Sequence, residues 1–289
     1  NEILWFRFAS GYSTTFKNKS VMWLVFYLNV NEGSMVSTRW TREELILAFN
    51  LYCKIPFGKM HSRNPDVINL ATLLERTPSA VSWKLANFAR LDPSLKERNI
   101  TGAAHGSKLD IEVWDEFNHD WDKLSFESER LLAEKGNKQI EEATEIDTSD
   151  LLKFGIERDA VVKVRVNQNF FRKSVLAAYD FKCCITGLGF PDFLNASHII
   201  PWAKDETNRV NPRNGLCLNA FHDRVFDRGF LTVTPDFKIK ISSSLKHNPT
   251  DKTIEEYLLR YDGSKITLPT KFLPDMEFLE YHNKNIFKG

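Results

Sequence analysis

The sequence predicts an α+β protein in which a helical N-terminal domain, laid out like a helix-turn-helix, precedes a smaller mixed domain. Three observations carry this prediction. Apolar residues recur at helical spacing from Trp40 to Glu134, an acidic and aromatic-poor stretch follows, and short apolar runs of strand length between Gly, Pro and Asn turns begin at Val161. The 289 residues are 42% hydrophobic and 27% charged, enough chain and enough apolar content for two cores. The net charge of +1 does not single out a nucleic-acid partner, but its distribution is uneven. Val161–Lys240 holds 12 Lys/Arg against 7 Asp/Glu, whereas Glu127–Asp150 holds 3 against 8. A basic module after an acidic stretch favours phosphate binding, since each neutralised phosphate releases counterions.

The expected division is a leader at 1–34, a helical DNA-binding domain at 35–135, an acidic linker at 136–160 and the mixed domain at 161–289. The leader is read as non-native or disordered. It begins at Asn1, its ten-residue apolar run Val21–Val30 is too short to span a bilayer, and Met35 opens a segment that resembles a protein start. The four cysteines, Cys53, Cys183, Cys184 and Cys217, form no C-x-x-C pair, which argues against a four-Cys zinc knuckle. Reduced thiols in a cytoplasmic protein are expected.

Within the helical domain, Thr41 caps a helix over Trp40–Tyr52, with Glu43 and Glu44 in its first turn and Leu45, Ala48, Phe49 and Tyr52 on one face. Asn64–Arg76 is a second helix. Thr77-Pro78 starts a third that runs to Arg90 and buries Val81, Leu85 and Phe88. This third helix leaves Ser79, Ser82, Lys84, Asn87 and Arg90 outward, so Ser79, Lys84 and Asn87 are candidate base-reading residues. Ile111–Glu134 is expected as one further helix. In the mixed domain, the alternation Val-Val-Lys-Val-Arg-Val predicts a strand, followed by a helix over Asn169–Tyr179. Ala196–Trp202 and Leu216–Leu218 are short strands and Asn219–Arg228 a helix ended by Gly229. Phe230–Thr234 with Phe237–Ile241 forms a hairpin.

The chemistry concentrates in this strand, loop, strand and helix. His198 lies on the first strand, Asn214 on the loop, and Asp223 and Asp227 on the helix, four residues apart and therefore on one face. Two carboxylates on one face repel, and a hard divalent cation such as Mg2+ or Mn2+ between them removes that cost. Phosphodiester hydrolysis needs a base for water, which a neutral His198 supplies, and charge neutralisation, which a metal supplies. Asn214 either fixes the His-bearing strand or orients the imidazole. Arg224 and Arg228, and Arg213 beside Asn214, are candidates for contacting DNA phosphates. His61, His105, His119, His247 and His282 are expected to be surface or packing residues, and Cys183, Cys184 and Cys217 core thiols.

The stretches Cys-Ile-Thr-Gly, Ser-His-Ile-Ile-Pro-Trp, Asn-Gly-Leu-Cys-Leu and His-Asp-Arg-Val-Phe-Asp-Arg-Gly resemble the HNH endonucleases, in the branch found in bacterial restriction-type enzymes. The resemblance runs from about Val164 to Phe287, including Phe272-Leu-Pro-Asp and Glu280-Tyr-His. It implies a ββα-metal fold, with His198 as the first H, Asn214 as the N and Asp223 in the position of the last H. Asp227 falls where some nucleases of this fold place a further ligand. Ser197 stands where many members carry Asp or His, and a one-residue slip would make His222 the metal ligand instead of Asp223. The resemblance thus implies a DNA endonuclease acting on double-stranded DNA, restricting or modification-dependent, as a homodimer or by two sequential nicks, with no membrane association. A DNA-binding regulator with an inactive nuclease site, and a non-specific or RNA-cutting nuclease, are the rival readings.

Overall fold

In the computed structural model the described residues are 6–7, 13–14, 39–97, 106–151, 155–246 and 252–289. The chain forms two compact units, Asn1–Trp40 and Thr41–Gly289. In the first, β1 (Phe6–Arg7) pairs antiparallel with β2 (Ser13–Thr14). The apolar run at 21–30 and Met35 lie outside the described residues.

The second unit opens with α1 (Arg42–Lys54). Thr41 closes a capping box with Glu44, as its position before the apolar run predicts. Next come α2 (Pro65–Leu73), capped by Asn64, and α3 (Pro78–Leu91), capped by Thr77. A short α4 (Pro93–Glu97) precedes α5 (Lys108–Phe117) and α6 (Trp121–Lys135). The single helix expected over Ile111–Glu134 is therefore two. The Asp120 side chain accepts from Lys123 N at 3.0 Å, so it starts a new helix rather than continuing the old one. The core of this region is aromatic: Phe49 stacks on Phe88 at 4.8 Å and on Trp114 at 4.9 Å, with the edge of Trp121 against it.

The acidic stretch contains α7 (Ile140–Thr144). Glu141 pairs with Arg158 at 2.6 Å, and the Thr144 carbonyl accepts from Asn169. The expected strand at Val161–Val166 is instead part of α8, a helix spanning Ile156–Ala178. Val162, Val166 and Phe170 are buried at a spacing of four while Val164 is exposed. The alternating valines are compatible with both periods, and continuation of the four-residue spacing into Phe170 and Ser174 decides for the helix.

The remaining elements are β3 (Leu194–His198), β4 (Gly215–Asn219), α9 (Ala220–Asp227), β5 (Leu231–Val233), β6 (Ile239–Ile241), α10 (Ser243–Lys246), α11 (Lys252–Tyr257) and α12 (Met276–Asn285). Two antiparallel pairs form: β3 with β4, His198 opposite Gly215, and β5 with β6. Gly229 takes the left-handed conformation at φ 73° after α9.

Within the second unit, the C-terminal tail is threaded into the helical region. Lys271 is fully buried, and its ammonium donates to the carbonyls of Cys53 at 2.9 Å, Ile55 at 2.7 Å and Tyr52. Carbonyls at a helix end lack intrahelical partners and carry the negative end of the dipole, so a cation satisfies both. Beside it, Asp92 accepts from the Tyr52 hydroxyl at 3.1 Å and from Phe272 N at 3.3 Å.

Candidate active site

β3, α9 and α12 meet the flank of α8 around a cleft of about 610 Å³, whose lining includes Phe171, Arg172, Ser197, His198, Asp223 and Asp227. Close contact between α8 and the ribbon depends on Gly215. A Cβ there would stand 2.3 Å from Val175 Cγ2 and 3.0 Å from Phe171 Cζ. The glycine of the Asn-Gly-Leu stretch is thus a packing requirement.

His198 is clamped between aromatic rings, stacked on Phe171 at 3.9 Å and meeting Trp202 edge-on at 5.6 Å. Its Nε2 lies 2.8 Å from the Arg209 carbonyl. A carbonyl only accepts, so Nε2 carries the hydrogen and Nδ1 is left as the basic nitrogen. Burial pushes the imidazole pKa below its ordinary value, against the opposing pull of the Arg209 carbonyl and Asp223. The ring is therefore neutral near pH 7, the state a base requires.

Asn214 is fully buried and bonds to backbone alone. Its Oδ1 accepts from Ile200 N at 2.8 Å, and its Nδ2 donates to the carbonyls of Ile200 at 3.1 Å and Asn208 at 3.2 Å. Of the two roles open to it, this placement matches fixing the end of the His-bearing strand and not touching the imidazole.

Asp223 and Asp227 share the cleft wall. Asp223 Oδ2 accepts from Asn195 Nδ2 at 2.6 Å and its Oδ1 from the Ser197 hydroxyl. Ser197, which stands where the resemblance places Asp or His in many members, orients the neighbouring carboxylate. Burial raises the Asp227 pKa above the usual aspartate value and the charge of Asp223 adds to this, while Arg224 and Arg228 oppose it. A divalent cation would relieve that repulsion. Among the described residues no three His, Cys, Asp or Glu side chains cluster closely enough to ligate a metal by themselves. Two carboxylates with waters and substrate oxygens completing the shell are the ordinary arrangement for a hard ion, so the donor set fits Mg2+ or Mn2+.

His222 is turned away from the cleft. Its ring is buried between Asn219 Oδ1 at 3.0 Å and the Tyr257 carbonyl at 2.8 Å. Consecutive helix residues point about 100° apart, so residues 222 and 223 cannot serve one wall. The slip that would make His222 a ligand is not the arrangement found.

Arg224 is exposed on α9, as is Arg228 at its C-terminal cap. Arg213 instead points at buried Asp92, 3.9 Å away, on the network that holds Phe272. Lys84 and Asn87, expected on an outer reading face, are turned inward. Both donate to the buried carboxylate of Asp110 at 2.8 Å, because α5 packs across that side of α3. Of the three expected readers only Ser79 is exposed, and Trp83 stands out beside it at 65% exposure.

Several cleft residues were not foreseen. Gln168, Phe171 and Arg172 line it from α8, at spacings of three and four that place them on one helix face. Phe171 and Arg172 lie within the helix expected over Asn169–Tyr179, but nothing local says which of its faces meets the cleft, and Gln168 lies in the turn before the expected start. His282, expected to be a surface or packing residue, packs and also lines the cleft. It stacks on Phe226 at 3.8 Å, bonds to the Thr232 hydroxyl at 2.7 Å, and burial pushes it down to about 4. His61 and His119 are exposed, while residues 105 and 247 lie outside the described residues. Cys183, Cys184 and Cys217 are buried free thiols, as expected.

The family model for HNH endonucleases matches residues 183–234. No curated protein matches the chain. The matched residues hold β3, His198, Asn214, β4, α9 with both carboxylates, and β5. Residues 183–234 are thus similar to the domain of HNH endonucleases.

Proposed function

We propose that the protein is a DNA endonuclease that hydrolyses phosphodiester bonds with His198 as general base and a divalent cation, Mg2+ or Mn2+, held by Asp223 and Asp227. The observation that carries this reading is the convergence of a neutral imidazole and two carboxylates on one cleft. His198 Nδ1 removes a proton from water. Asp223 and Asp227 would hold the ion, which would supply neutralisation of the negative charge that builds up during hydrolysis. Asp223 is kept in place by Asn195 and Ser197, so its oxygens need not reorganise when the ion and substrate arrive. Arg224 and Arg228 flank the carboxylates and take neighbouring phosphates.

The resemblance to restriction-type enzymes motivates a role in bacterial defence, restricting or modification-dependent, with the helical region choosing the site. One HNH site cuts one strand, so double-strand cleavage calls for a homodimer or two sequential nicks. No helix among the described residues is long and apolar enough to cross a membrane.

The test is incubation of the purified chain with methylated and unmethylated plasmid, in Mg2+, in Mn2+ and in chelator, alongside His198→Ala. Cutting is expected with either metal and lost with chelator or the variant. Cutting that survives His198→Ala removes the base assignment. Discrete fragments indicate sequence choice, and fragments that require methylation indicate modification dependence. Binding without cutting under every metal would favour a regulator with an inactive site, and cleavage of RNA would widen the substrate class.

A further inference from the structure

Immediately before β3, the chain leaves two phenylalanines in solvent. Phe190 is 53% and Phe193 57% exposed, with Leu188 beside them at 39%. The rings are held in place: Phe193 N donates to the Phe190 carbonyl at 3.0 Å, and Pro191–Phe193 is a 3-10 turn. Their centroids are 5.0 Å apart with planes tilted by 35°, so the two rings support each other and keep their outer faces open.

This turn is tied to the cleft. Arg172, on the cleft wall, donates Nη2 to the Pro191 carbonyl at 3.4 Å. Among the described residues Arg172 pairs with no carboxylate, which is unusual for a half-buried guanidinium in a chain with so many ion pairs. Lys182 adds a second exposed cation, its Cγ 3.5 Å from where a Cβ on Gly189 would stand. Exposed aromatic faces beside cations, continuous with a cleft for phosphodiester chemistry, match how proteins hold an unstacked base and its phosphate.

We propose that Phe190, Phe193 and Arg172 form a nucleic-acid subsite flanking the cleft, in which the guanidinium takes a backbone phosphate and the rings stack on a base adjacent to the scissile bond. The proposal rests on the nuclease reading and adds a substrate class, DNA in which a base next to the cut is unstacked. Single-stranded, gapped or mismatched DNA then binds tighter than perfect duplex, because the unstacking has already been done.

The test is binding of the full chain, in chelator so that nothing is cut, to labelled single-stranded, gapped and fully paired oligonucleotides, some carrying 2-aminopurine. Base–aromatic stacking corresponds to roughly 5- to 100-fold in affinity per ring. Phe190→Leu with Phe193→Leu, which keeps the apolar bulk, should weaken binding to single-stranded and gapped DNA by about tenfold or more and abolish quenching of 2-aminopurine. Phe190→Tyr with Phe193→Tyr should restore both. Arg172→Gln should reduce the salt slope of log K by about one. If wild type binds and cuts DNA but the Leu pair binds like wild type, the subsite is wrong while the nuclease reading stands. If wild type neither binds nor cuts nucleic acid, both fall. If wild type sediments as a dimer that the Leu pair dissociates, with DNA binding unchanged, the rings are a contact between copies and the proposal is overturned.

Discussion

In the helical region, inward-facing charges end on other protein groups. Lys84 meets Asp110 at 2.8 Å, Arg76 meets Glu44 at 2.9 Å, Lys54 meets Glu129, and Arg42 bridges Glu116 and Glu127. In the HNH segment and the flank of α8 the pattern inverts. Arg172, Arg224 and Arg228 close no ion pair among the described residues, and burial and the charge of Asp223 outweigh the opposing pull of Arg224 and Arg228 on Asp227. The first arrangement pairs charge with opposite charge within the fold; the second leaves three guanidinium groups without a carboxylate and two carboxylates repelling each other. Stability and activity should therefore respond to substitution in different halves of the molecule.

The largest effect expected is on chemistry. His198→Ala should lower the cleavage rate by about 10²- to 10⁴-fold while leaving the melting temperature within a few degrees of wild type, as measured by plasmid cleavage and thermal denaturation. An equal collapse of both would mean that the stacked ring is a core element first. Because burial lowers the His198 pKa, the acid limb of the rate profile should lie below the usual histidine value of about 6.5.

The converse test is Asp110→Ala. It leaves Lys84 and Asn87 without their acceptor and removes the capping partner of Ser107, so a loss on the order of 3 kcal/mol is expected from denaturant titration, with cleavage by the folded fraction unchanged. Burial pushes the Asp110 carboxyl up, but the bonds from Lys84 and Ser107 outweigh it and hold the pKa below its ordinary value. Its stabilisation is accordingly present above the unfolded value of about 3.9 and lost as pH falls through the lower folded value.

Asp227→Asn sharpens the contrast. Its raised pKa means that the ionised carboxylate is disfavoured in the fold, so without metal the variant should melt no lower than wild type, while the stabilisation conferred by Mn2+ shrinks. A variant that melts lower and keeps the full metal effect would place the cation elsewhere. The smallest effects belong to Arg224→Ala and Arg228→Ala. Each should weaken DNA binding several-fold and reduce the salt slope by about one, without altering stability.

Local sequence made many elements legible. Thr41, Asn64 and Thr77 start helices where their side chains predict, and Gly229 ends one. The order His198, Asn214, Asp223, Asp227 was readable because β3, β4 and α9 are consecutive and their spacing is short. Where two periods fit the same residues, the reading failed. The valines from 161 to 166 satisfy a strand and a helix alike, and only the burial of Val162, Val166 and Phe170 on one face separates them. Lys84 and Asn87 look like an exposed reading edge until α5 brings Asp110 against them.

The sequence alone determined the chemistry available: an imidazole, two carboxylates four apart on one helix, and arginines beside them, because residue identity and helical period are local properties. The tertiary structure decided which of these groups meet. It turned His222 away from Asp223, gave Asn214 to the backbone of Ile200, set Ser197 to hold Asp223, and laid the helix that carries Arg172 against the cleft. It also threaded Lys271 into the carbonyls at the end of α1, more than two hundred residues away along the chain. Burial and the direction of a side chain depend on what packs against it, and nothing within a few residues of a position specifies that.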